Sequence, residues 1–195
     1  MRRWLAGALL ALVPLLAPAE MRDAPASPDP ELRKLLLAAV NAADSFDHPF
    51  DAEVWLADMS DRMQRYVPNA LTNPQERLAF LRLVHSEARR ANVPPELVLS
   101  VIEIESRFDR FAISRAGALG YMQVMPFWLK ELNRPYDNLF QATTNLRMGC
   151  TILKYYLDRE QGDLVKGLAR YNGSTGKAKY SHQVLNALSR RWFQK

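Results

Sequence analysis

The chain has 195 residues, 48% of them apolar, and a formal charge of +5 from 26 Lys and Arg against 21 Asp and Glu. That size and content support one ordinary domain with a real core plus a short extension, and leave a second full domain cramped. The basic residues are scattered apart from pairs such as Arg89-Arg90 and Arg190-Arg191, which argues against a nucleic-acid partner, and the lone Cys150 rules out an intramolecular disulfide.

Residues 1–19, MRRWLAGALLALVPLLAPA, read as a secretory signal. Arg2 and Arg3 precede an apolar run from Trp4 to Leu16, and Ala17-Pro18-Ala19 supplies a small-residue cleavage site. The run is short of the roughly 20 residues of a spanning helix and contains Pro14, so no stable membrane span is expected after cleavage. Cleavage removes Arg2 and Arg3 and takes the formal charge from +5 to +3.

Met21 to Pro30 is rich in Pro, Ala, Ser and Asp and reads as a flexible spacer. Leu32, Leu35, Leu36 and Ala39 then recur at helical intervals in Glu31 to Ala43, and a looser version of that period runs from Ala52 to Val67. Asn73-Pro74-Gln75-Glu76 offers an N-cap, a first-turn Pro and a Glu three residues after the cap, so a cleaner helix is expected to about Asn92. Val93-Pro94-Pro95 closes it and opens the next. Further helices are predicted at Thr144 to Arg159, Asp163 to Tyr171 and Ala178 to Trp192. No run alternates as a strand would, so the fold class is all-α. His48, His85 and His182 share no ligand spacing, and no metal or cofactor is expected. Cys150, between Leu146 and Leu153 at helical spacing, reads as a small core residue.

On the helix from Pro94, a turn of about 100° per residue gathers Val98, Val101 and Ile102 on one face and places Glu105 among them. Glu103 falls about 160° away, on the side expected to meet water. Apolar surroundings disfavour the ionised form, which predicts a raised pKa for Glu105 and suits general acid and base chemistry. A structural ion pair with Arg107 or Arg110 suits the same position, and position alone leaves both readings open. Gly117 and Gly120 follow in a loop that interleaves Ser114, Tyr121 and Gln123 with Met122, Val124 and Met125. Such mixing suits a saccharide, and it also suits an ordinary turn over a core.

Several blocks of this chain together carry a resemblance. They are Glu105-Ser106, Ala112-Ile113-Ser114, Gly117 through Pro126 (GALGYMQVMP), Asn145 through Gly149 (NLRMG) and Ala169 through Gly173 (ARYNG). In order and spacing they resemble the catalytic domain of the soluble lytic transglycosylases (SLT), a lysozyme-like, all-α family that cleaves bacterial peptidoglycan. The resemblance runs from about Leu83 to Val184. It implies a catalytic domain at 71–195, after the signal read at 1–19 and a spacer and N-terminal helical extension at 20–70 that lie outside its pattern. It also implies the bacterial periplasm as location and peptidoglycan glycan strands as partner; envelope or secretion-machinery proteins remain candidates that no motif supports.

By the same resemblance Glu105 is the single catalytic acid and base. Ser114, Gln123, Met125 and Tyr171 match positions that hold sugars or orient the acid, with Ser106 and Asn172 in support. Tyr121 stands where Leu is usual and is a further substrate-binding candidate, either a stacking surface or core. Phe127-Trp128 and Tyr171-Asn172-Gly173-Ser174 also depart from the family pattern, and Trp128 carries the same two readings as Tyr121. Asp109, Asp137 and Asp163 read as caps, so one carboxylate is expected where most glycosidases use two. The implied reaction has Glu105 protonate the bond between N-acetylmuramic acid and N-acetylglucosamine, then take the proton of the muramic C6 hydroxyl, leaving a 1,6-anhydro end. Two alternatives stay open: hydrolysis by a relative of goose-type lysozyme, and a peptidoglycan-binding envelope protein without turnover.

Overall fold

The computed structural model describes residues 29–41 and 49–193. The expected signal and the spacer as far as residue 28 lie outside the described residues. Helix α1 (Pro30–Asn41) begins on Asp29, whose carboxylate accepts the backbone N–H groups of Glu31 and Leu32. The fold therefore starts inside the segment read as spacer. Its Pro is a helix-starting residue here, because a first-turn Pro lacks only an N–H that would have no intrahelical partner.

Seven more helices follow: α2 (Pro49–Tyr66), α3 (Pro74–Arg90), α4 (Pro95–Ser106), α5 (Phe127–Glu131), α6 (Ala142–Arg159), α7 (Leu164–Tyr171) and α8 (Lys179–Ala187). Local capping explains several starts. Asn73 accepts the N–H groups of Gln75 and Glu76 at 2.9 and 3.1 Å, and Asp163 accepts that of Lys166 at 3.0 Å. Helix α5 is too short to show a period and escaped the sequence reading. The expected single helix from Ala178 to Trp192 instead changes at Leu188 into a π-helical turn, Leu188–Trp192. Among the described residues there is no strand, only isolated bridges pairing Leu119 with Ile113 and with Val124.

Helix α4 is the centre of the molecule. Leu97, Val98, Leu99, Ser100, Val101 and Ile102 are all buried, so it is covered around its circumference. Helix α8 and the π turn pack along it. This corrects the expectation for Glu103, whose side chain is only 11% exposed. It accepts the buried Trp192 indole N–H at 2.8 Å and pairs with Arg191 at 3.0 Å. Sequence periodicity assigned that side of α4 to water because the covering chain arrives about 90 residues later.

The helices before residue 71 share the same core. Leu32 and Leu36 of α1 and Trp55, Met59 and Met63 of α2 belong to one apolar cluster with α3, α4 and α6. The Trp55 indole donates to Glu96 at 2.8 Å, and Arg62 donates to the carbonyls of Arg191 and Phe193. Helices α3 and α6 are joined by a buried ionic group. Glu87, 1% exposed, receives Arg90 from its own helix and Arg147 from α6, each at 2.6 Å. Arg90 also donates to the Arg147 carbonyl and the Thr151 hydroxyl, so the buried charges have their hydrogen bonds completed.

Candidate active site

Glu105 occupies the last turn of α4, half-buried. Tyr180, from the first turn of α8 and almost wholly buried, donates its hydroxyl to Glu105 Oε1 at 2.9 Å. The chain then leaves α4 abruptly. Arg107 and Phe108 both take left-handed backbone, with φ of 53° and 63°, and the Arg107 N–H caps the Glu103 carbonyl. Phe108 anchors this reversal by packing against Phe80 and Trp192. Arg107 is exposed, while Arg110 donates to the Phe140 carbonyl at 3.2 Å and lies over the Phe111 ring.

The loop after α4 is held from within and from behind. The Ser114 hydroxyl accepts the Ala118 N–H at 3.0 Å, and backbone bonds in both directions join Leu119 to Val124. Gln123, buried at a φ of 52°, donates its side-chain amide to the carbonyls of Ala112 and Gly120 at 3.1 and 2.9 Å. From behind, Asn145 of α6 is fully buried and makes three bonds. It donates to the Leu119 and Leu139 carbonyls at 2.9 Å each and accepts the Met122 N–H at 2.8 Å. Tyr171 of α7 donates to the Met122 carbonyl at 2.6 Å.

Two glycines make this packing possible. Gly120 has a φ of 74°, and a Cβ there would come within 2.5 Å of the Asn145 amide and 2.6 Å of the Leu139 carbonyl. A Cβ on Gly149 would stand 2.5 Å from the Met122 sulfur, so its absence lets Met122 lie flat on α6.

Set against this geometry, the candidates from sequence divide. Glu105 stands at a helix end with a polar partner. Ser114, Gln123 and Tyr171 are joined by hydrogen bonds to one loop. Ser106 is buried and its hydroxyl donates to the Ile102 carbonyl at 3.1 Å, a bond within α4. Met125 is half-buried against the core, and Asn172 is the C-terminal cap of α7. Tyr121 is 5% exposed with its ring 4.6 Å from that of Phe80, so it does not offer an open face for a sugar. Trp128 is equally buried and belongs to the core.

Sequence reasoning missed the roles of Asn145 and Tyr180. Asn145 carried a signal, since a polar residue shares the apolar helical stripe of Gly149, Ile152 and Leu153. Tyr180 carried none, being 75 positions from the acid it touches. Asp109 accepts the Phe111 N–H, Asp137 pairs with Arg134 and Asp163 caps α7, in line with their reading as structural acids. The described residues contain no cluster of three or more side chains able to hold a metal ion.

Comparison with known proteins follows the same outline. Residues 82–191 match the family described as Transglycosylase SLT domain. A transglycosylase of Enterobacteria phage PRD1 is 32% identical over 103 residues, which cover 53% of this chain and 38% of that protein. Membrane-bound lytic murein transglycosylase C of Yersinia pestis (strain Pestoides F) is 31% identical over 128 residues, 56% of this chain and 35% of that protein. The chain thus spans little more than a third of the length of these relatives. The X-ray structure of an inactive mutant of the lytic transglycosylase Slt from Pseudomonas aeruginosa aligns with a TM-score of 0.46 at 22% identity, covering 85% of this chain and 33% of that one. With its match over residues 82–191, the chain belongs to the SLT transglycosylase family.

Proposed function

We propose that this protein cleaves the glycan strands of peptidoglycan by lytic transglycosylation, with Glu105 as its one acid and base. The observation that carries the reading is the Tyr180 hydroxyl at 2.9 Å from Glu105 Oε1, at the end of the central helix and beside a loop braced by Asn145, Gln123 and Tyr171. The protonated Glu105 gives its proton to the glycosidic oxygen between N-acetylmuramic acid and N-acetylglucosamine, and the C1–O bond breaks. The carboxylate left behind takes the proton of the muramic C6 hydroxyl as that oxygen bonds to C1. Glu105 ends protonated as it began, and no water is consumed. Tyr180 supports the cycle by donating to the carboxylate that the first transfer creates.

A second carboxylate, as most glycosidases require, is not needed here. Asp109, Asp137 and Asp163 already bond to backbone or Arg in structural roles. The reaction places the protein outside the bacterial inner membrane, in the periplasm, which agrees with the signal read at residues 1–19. No helix among the described residues is long and apolar enough to cross a membrane.

The test is digestion of purified sacculi by the wild-type protein and by Glu105→Gln. Wild type should release muropeptides lighter by one water than reducing ends, and Glu105→Gln should bind sacculi and release none. Reducing ends alone would make the protein a hydrolase. Binding without release by the wild type would make it a scaffold.

A further inference from the structure

We propose that Trp192 and Arg62 are positioning residues for Glu105: the C-terminal π turn, clamped by α2, holds the last turn of α4 where the acid works. The inference rests on the glycan-cleaving reading above. Both residues lie outside the segment 82–191 that matches the SLT family, so flanking parts of the chain take part in placing the acid.

Trp192 is fully buried and grips the chain on both sides of the acid. Its indole N–H donates to Glu103 Oε2 at 2.8 Å, two residues before Glu105, and its ring lies 5.7 Å from that of Phe108, three residues after it. Between these contacts the backbone bends sharply. The Arg107 N–H caps the Glu103 carbonyl at 3.1 Å. Arg107 and Phe108 both hold positive φ, a conformation that residues with a side chain rarely adopt and keep only where packing dictates it. Phe80 and Trp192 supply that packing for Phe108. Glu103 and Glu105 project about 160° apart on α4, so Trp192 backs the turn from the side opposite the acid. Tyr180 meets Glu105 from the acid's own side, at 2.9 Å. One segment, from α8 through the π turn, therefore holds the turn from two directions.

What fixes Trp192 comes from the other end of the chain. The π turn's bond from the Phe193 N–H to the Leu188 carbonyl, 2.7 Å long, gives Trp192 a direction that a continued α-helix would not. Arg62 of α2 donates Nη1 to the carbonyls of Arg191 and Phe193 at 3.0 and 3.2 Å, the residues on either side of Trp192. Its Nε is held by Asp58 at 2.8 Å. Arg191 completes the clamp by pairing with Glu103 Oε1 at 3.0 Å while Trp192 takes Oε2. A carboxylate with both oxygens engaged fixes its helix turn in rotation as well as in distance. An acid must come within hydrogen-bond reach of the oxygen it protonates, so a small displacement of this turn lowers turnover steeply.

The experiment is steady-state kinetics of the full chain on soluble glycan fragments, each variant assayed well below its unfolding midpoint. Trp192→Phe keeps a buried ring and loses the N–H, and Arg62→Gln leaves the core intact. kcat should fall about fivefold or more with Trp192→Phe and about threefold with Arg62→Gln, while KM stays within about twofold, because no substrate-binding group is removed. Trp192→Phe combined with Glu103→Leu should lose no more kcat than the worse single variant, since both break one bond. Asp29→Ala, destabilised at the start of α1, should keep the wild-type kcat. Unchanged kcat in Trp192→Phe and Arg62→Gln, a loss carried by KM instead, an additive fall in the double variant, or an equal fall in Asp29→Ala would overturn the proposal. Should Trp192→Phe fail to fold, Arg62→Gln decides alone. A wild type that cleaves, beside variants of equal kcat, removes the positioning role only. A wild type that cleaves nothing removes the glycan-cleaving reading and this proposal with it.

Discussion

The Tyr180 hydroxyl donates to Glu105 Oε1 across 2.9 Å and so ties the first turn of α8 to the last turn of α4. Tyr180→Phe removes the donor and keeps the buried ring. The expected result is a fall in kcat of about tenfold or more on purified glycan strands, with a smaller change in KM, because the bond matters most when Glu105 has lost its proton. Steady-state kinetics on soluble glycan fragments measure both constants.

Asn145 is the brace behind the loop, joining Leu119, Met122 and Leu139 through one side chain. Asn145→Ala takes the partner from the Met122 N–H and the Leu139 carbonyl, while the Leu119 carbonyl keeps the Val124 N–H, so a loss of about 2 to 4 kcal/mol in stability is expected. Activity should fall further than stability alone explains, since the same bonds shape the loop carrying Ser114 and Gln123. Denaturant unfolding checks the first effect, and turnover well below the unfolding midpoint checks the second.

Cys150 is fully buried and packs its sulfur 3.9 Å from that of Met122. Burial, with the nearby Glu87 charge adding to it, raises its thiol far above the ordinary range. A thiol reagent at neutral pH should leave the native protein unmodified and label Cys150 only as the chain unfolds. Stoichiometric labelling of the folded protein would contradict the packing described.

Asp29 links the start of α1 to α6. Its carboxyl lies below the ordinary value of 3.8 mainly because the Tyr155 hydroxyl donates to it, with the Glu31 and Leu32 N–H groups and Arg159 adding to the effect and burial opposing it. A carboxyl lowered in the folded state contributes stability above its unfolded pKa and loses it as pH falls through the folded one. Asp29→Ala should therefore melt below the wild type at pH 7, and the gap should shrink as pH falls below about 4. Melting curves across that range measure it.

Local signals were the legible part of this fold. Asn73 and Asp163 are caps that act within three residues of themselves, and both helices start where those residues place them. Glu105 stood out as a carboxylate on an apolar stripe, and it lies half-buried in the last turn of α4. What stayed hidden depends on chain that returns from far away. Glu103 reads as a surface acid until Trp192 and Arg191 arrive, and Tyr180 reads as one more helical aromatic until α8 folds against α4. Tyr121 could not be sorted between groove and core from sequence, because the Phe80 ring that covers it comes from another helix.

In the proposed mechanism Glu105 gives its proton to the departing sugar and then takes that of the C6 hydroxyl, and water takes no part. Digestion of sacculi in water enriched in oxygen-18, with mass analysis of the released muropeptides, tests it directly. Anhydro products that carry no label are expected, and no products from Glu105→Gln. Labelled reducing ends formed by the wild type in place of anhydro products would contradict it.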